Sequence, residues 1–141
     1  MLRAVERAAL ADLRMALVAL GDDGRIGLAT PEALGVLGWD SSLLGRPLSA
    51  IVPPRLRAAQ KAGVQDFVLH RGHGVRSSVH RHSGLGADGK ERPLQIHVLG
   101  FRRPDGSMFL CAALAPDEAG AAQPATQRVV AALQANGYAL V

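Results

Sequence analysis

Three Asp-Gly pairs, Asp23-Gly24, Asp88-Gly89 and Asp105-Gly106, each stand between candidate strands, apolar in every case but 75–84, where the alternation is weak. Asp-Gly supplies the positive φ angles of a tight turn whose twist matches that of paired strands, so each pair predicts a chain reversal between neighbouring strands. The first joins MALVAL (15–20) to RIGLA (25–29). The other two join three strands in series, at 75–84, 93–101 and 107–115. In the middle one, Leu94, Ile96 and Val98 alternate with Gln95 and His97, the period of a strand with one buried face. The last, SMFLCAALA, is apolar throughout and is expected at the centre of a sheet. Five strands linked in this way make one antiparallel sheet, and 141 residues leave no room for a second full domain.

The rest of the chain reads as helices. Residues 2–14 place Leu2, Val5, Ala9 and Leu13 on one stripe, with Glu6 at its edge. Such a stripe packs either on the domain's own sheet or on a second chain. After the hairpin, Thr30 caps a short helix that has Pro31 at its first position and Leu34 and Leu37 inward, and Gly38-Trp39-Asp40 ends it. Asp40 opens another turn over 41–45, Pro47 opens LSAIV, and Trp39 is expected in the core beside these turns. Residues 54–70 carry the longest helical pattern after the N-terminus. Leu56, Gln60, Gly63, Val64 and Phe67 share one stripe, which sets an amide in the middle of an apolar face. An Ala/Gly/Pro linker follows the last strand. Thr126 then caps a final helix with Val129, Val130 and Leu133 inward, ended by Asn136-Gly137. The apolar end, 138–141, suggests that the natural chain continues.

This order predicts an α+β fold: a five-stranded antiparallel sheet with short helices on one face and flanking N- and C-terminal helices. The expected parts are a flanking helix at 1–14, the domain proper at 15–117, and a linker with helix at 118–141. No apolar run approaches the ~20 residues of a membrane helix, and the start lacks a secretory signal, so a cytoplasmic protein is expected. The single cysteine, Cys111, excludes an internal disulfide and reads as a small buried apolar residue. The net charge of +4 rests on fourteen scattered arginines and two lysines, which forms no nucleic-acid footprint. No Ser-His-Asp set, carboxylate pair or phosphate loop stands out, so an enzyme is not expected.

Several segments in order resemble a PAS sensory domain. They are Asp22-Asp23-Gly24-Arg25-Ile26 after an apolar strand, Leu37-Gly38-Trp39 at a helix end, Leu44-Gly45-Arg46-Pro47-Leu48, Pro53, and Asp88-Gly89 ahead of Pro93. The resemblance covers roughly 15–117. Two departures stand out: the asparagine common in the first short helix is replaced near Thr30, and the acidic residue near the last strand occurs only as Pro116-Asp117. The resemblance implies a sensor that binds a small molecule or cofactor, dimerises, and passes a signal to an output partner in transcription regulation or a two-component system. A homodimer through the N-terminal helix and the sheet is the form it implies. The alternatives are a ligand-free docking module and a haem-binding gas or redox sensor.

The ligand would lie between the sheet and the 54–70 helix, against Leu56, Gln60, Val64, Phe67, Ile96 and Val98. The segment from Ile51 to Phe67 looks closest to haem-type oxygen sensors, but Gln60 stands where their iron-binding histidine would be. A glutamine amide is a poor iron ligand, so haem would need a displaced ligand, His70 or His80. Flavin photochemistry of the cysteine-adduct type would need its cysteine on that same helix, and Cys111 lies on the last strand. The cofactor is thus left open, with haem and flavin both disfavoured. His70, His73, His80 and His82 lie close in sequence, but their spacing fits no closed metal site, and a mildly basic loop and strand edge is the plainer reading. His97 is expected at the surface or on a dimer face.

Overall fold

The computed structural model describes residues 2–59, 61–62, 79–118, 120 and 123–141. Five antiparallel strands form a curled sheet: β1 (Leu17–Leu20), β2 (Ile26–Ala29), β3 (Val79–Leu85), β4 (Glu91–Arg102) and β5 (Met108–Pro116). Their spatial order is β2-β1-β5-β4-β3. β5 is therefore central, as its unbroken apolar run requires. A two-residue strand, β6 (Ala139–Leu140), adds to β4 opposite Phe101 and Arg102. Each Asp-Gly turn forms where expected, with Gly24, Gly89 and Gly106 at positive φ.

Three short 3-10 turns, Ser41–Leu43, Leu48–Ile51 and Pro54–Leu56, and the helix α2 (Pro31–Leu37) lie on the inner face. Thr30 is the joint between sheet and helix. Its Oγ1 accepts from the N–H of Ala33 at 3.2 Å, capping α2, and from the N–H of Leu17 at 2.9 Å. It also donates to the Met15 carbonyl at 2.6 Å. Thr30→Val keeps the shape but leaves a helix end, the Leu17 N–H and the Met15 carbonyl without their partner. A loss of about 2 kcal/mol is expected, read as a lower urea midpoint with an unchanged slope. The chain at 45–47 then runs along the free edge of β2, with Ile26 N–H to Arg46 O and Gly45 N–H to Ile26 O both at 2.8 Å. That edge is thereby covered.

The outer face carries α1 (Ala4–Ala11) and α3 (Thr126–Gln134), packed side by side on Phe101, Phe109, Leu17 and Leu99. Several expectations change here. Of the expected N-terminal stripe Leu2 is buried and Ala9 and Leu13 pack against the outer core, but Val5 is 38% exposed, and Glu6 and Leu10 are the fully buried positions of α1. Glu6 is turned inward because a buried arginine meets it there. Gln95, placed on the face of β4 opposite Leu94, Ile96 and Val98, is buried as well. His97, on that same side, is half-buried. Thr126 is the first helical residue of α3 and not its cap; Ala125 holds that position without a side-chain bond. The apolar end of the chain also gains a reason, since Tyr138 is buried in the outer core and 139–140 extend the sheet. Residues 63–78 of the expected helix and strand lie outside the described residues.

Candidate functional site

A cavity of about 420 Å³ lies between the inner sheet face and the short turns. The strands build its floor by alternation. Leu94, Ile96 and Val98 of β4 face it, as do Leu110, Ala112 and Leu114 of β5 and Val18 and Leu20 of β1. Ala112 is the lowest point of that floor. Its cross-strand partners are Val18 and Val98, so a methyl group stands between two larger side chains. Leu37 of α2 and Leu48, Ile51, Val52, Leu56 and Ala59 form the opposite wall.

Gly84 shapes one end. A Cβ there would stand 2.5 Å from Leu94 Cδ1 and 3.4 Å from Leu37 Cδ2, so a larger residue would push the Leu94 side chain aside at this end of the cavity. Trp39 fixes the same corner, donating its Nε1–H to the Leu85 carbonyl at 2.9 Å beneath the Arg46 guanidinium. Across the rim, Arg55 donates to Glu91 at 2.7 Å and ties the start of the 54–56 turn to the start of β4. That bond holds the Glu91 carboxyl below its ordinary value.

Of the described lining residues only His82 and Ser83, neighbours on β3, have polar side chains that can hydrogen-bond strongly, and His82 is exposed at the rim. Everything else is aliphatic, glycine or the Cys111 position. Phe109, Cys111 and Ala113 alternate away from the cavity, and the Cys111 thiol belongs to the outer core. Burial pushes that thiol up to about 12, so it stays protonated and inert at neutral pH. This agrees with the reading of Cys111 as a buried apolar residue.

The expected ligand contacts divide accordingly. Leu56, Ile96 and Val98 do line one cavity. Gln60, Val64, Phe67, His70 and His73 lie outside the described residues, as does the side chain of His80. Ala112, Leu114 and Leu110 of β5 were not expected there, because a strand apolar on both faces gives no alternation to read.

The chain's one thiol, Cys111, faces away from the cavity on the outer side of β5. Among the described lining residues His82 carries the one imidazole, and it stands at the rim. Among the described residues no group of three His, Cys, Asp or Glu side chains is placed to hold a metal ion, and no helix is long and apolar enough to cross a membrane.

Neither a protein-family model nor a curated protein matches the sequence. Solved structures do match. A PAS domain from Colwellia psychrerythraea superposes with a TM-score of 0.62 at 14% identity, covering 77% of this chain and 91% of that one. The Rhodobacter sphaeroides LOV protein gives 0.61 at 16% identity over 94% of this chain and 74% of that one. The PAS domain of the Cronobacter turicensis RpfR quorum-sensing receptor, in complex with BDSF, gives 0.55 at 15% identity over 74% and 94%. At such identities the likeness is one of architecture: the chain has the PAS fold. The closer likeness to haem-type oxygen sensors is not shown by these structures.

Proposed function

We propose that this PAS-fold chain is a sensory domain that holds a small, largely apolar organic molecule against the inner sheet face and passes the binding event to an output partner. The observation that carries this reading is the cavity itself. About 420 Å³ walled by aliphatic side chains suits an apolar ligand and offers almost nothing to a charged one. The ligand-bound state of the RpfR PAS domain supports the same reading. The volume weighs against a ligand-free docking module, whose corresponding space would be filled by side chains. For binding to signal, the ligand must favour one of two conformations. β5 is the element through which it would do so, since Leu110, Ala112 and Leu114 touch the cavity while Phe109, Cys111 and Ala113 touch the flanking segments. A second copy or a separate output protein would engage the outward sides of those segments.

N-phenyl-1-naphthylamine, a neutral apolar fluorophore, tests the cavity directly. Burying most of its surface predicts saturable, one-to-one enhancement with a Kd on the order of 10 µM. A linear, unsaturable response would return the chain to the docking-module reading. Mass spectrometry of whatever the purified protein releases on denaturation would then identify the natural occupant.

A further inference from the structure

The two ends of the chain meet on one buried carboxylate. Glu6 of α1 is fully buried, and it accepts from Arg103 Nε at 2.6 Å and Nη2 at 3.0 Å. Tyr138, which follows α3, donates its hydroxyl to the same carboxylate. Arg103 is 3% exposed and comes from the turn between β4 and β5, where its Nη1 also donates to the Met108 carbonyl at 3.0 Å. A second tie joins the ends directly, from Arg128 Nη2 of α3 to the Leu13 carbonyl at 2.8 Å. The apolar floor is shared too, with Leu10 from α1 and Val129 and Leu133 from α3 in one core.

This arrangement penalises half-release. If the C-terminal segment lifts, Tyr138 leaves the carboxylate and α1 loses its apolar neighbours. If α1 lifts, Arg103 loses both bonds to Glu6 and keeps only the exposed Asp22 carboxylate, 3.4 Å from its Nη1, as counter-charge, and the Tyr138 hydroxyl loses its acceptor. The first state costs Glu6 one of its four bonds and α1 its apolar neighbours, and the second costs Arg103 two of its charge-assisted bonds. Both docked and both released avoid that cost.

We propose that Glu6, Arg103 and Tyr138 are a clasp that makes α1 and the C-terminal segment dock on the sheet and leave it as one unit. A partner gripping either end of the chain would thereby change the exposure of the other end.

Hydrogen exchange on the whole chain tests this without any ligand, so its outcome is separate from that of the cavity. Tyr138→Phe removes one hydroxyl. Amides of both α1 and α3 are expected to exchange about ten-fold faster, by the same factor, while those of β1 and β5 keep their protection. Leu133→Ala loosens α3 without touching the clasp, and it is expected to speed α1 by the same factor as α3. Unchanged α1 protection in either variant overturns the proposal. Acceleration spread equally over β1 and β5 also overturns it, because the segments would then open only with the whole fold.

Discussion

Arg103→Leu is expected to lower the unfolding free energy at pH 7 by about 3–5 kcal/mol, among the largest effects of any single substitution in this chain. The reason is the buried charge it leaves behind. Glu6 has no access to water, and Arg103 supplies two of its hydrogen bonds. Burial by itself pushes the Glu6 carboxyl up. The bonds from Arg103, from Tyr138 and from the Arg3 N–H more than offset that, leaving the group below its ordinary value. A carboxyl with a lowered folded pKa stabilises the fold above its unfolded value of 4.5, and that contribution is lost as the pH falls through the folded value. Without Arg103, burial has the larger say and the folded pKa rises above 4.5. The variant then gains stability, relative to its own value at pH 7, as the pH falls toward 4.5. The deficit is therefore expected to be largest at pH 7 and to shrink toward pH 4.5. Urea unfolding at the two pH values reads both parts. A deficit that is under about 1 kcal/mol, or that does not change with pH, would mean that Glu6 reaches water or another cation. The double variant Glu6→Leu/Arg103→Leu is expected to recover most of the loss, since no charge then remains buried.

That pair also marks where the sequence stops being readable. Asp-Gly turns between apolar runs are local signals, and they placed all five strands and the centrality of β5. The cap at Thr30 and the turn at Asp40 are equally local, and both side chains do accept from the N–H groups that follow. Glu6 and Arg103 lie 97 residues apart. Nothing near Glu6 announces that its charge is met from the β4–β5 turn, so a helical stripe drawn from apolar residues alone runs through Val5 instead. Gln95 failed for a related reason: period two tells that it faces away from Ile96, but not whether that side is buried. In the cavity, Ile96 and Val98 were legible because β4 alternates. Leu110, Ala112 and Leu114 were not, because β5 is buried on both faces and every position looks alike.

Ala112 and Ala113 therefore give the sharpest test of the cavity, as two neighbours of similar chemistry with opposite expectations. Ala112→Trp places an indole on the cavity floor between Val18 and Val98. If the space is empty, the ring gains apolar burial in a strand position that suits aromatics, and stability is expected to stay within about 1 kcal/mol of the parent. The same ring occupies the volume that a ligand needs, so affinity for N-phenyl-1-naphthylamine is expected to fall by about 100-fold or more, close to 3 kcal/mol of binding. Ala113→Trp points to the outer core, where Ala113 is fully buried among Leu17 and the residues of α1 and α3. No room exists there, and overpacking is expected to cost about 3 kcal/mol or more, with the flanking segments displaced first. Thermal melts of the two variants, taken with the fluorescence titration of the first, separate the cases. If Ala112→Trp destabilises as much as Ala113→Trp, side chains already fill the inner face. The reading of this chain as a ligand sensor would then fall, while the clasp on the opposite face would stand untouched.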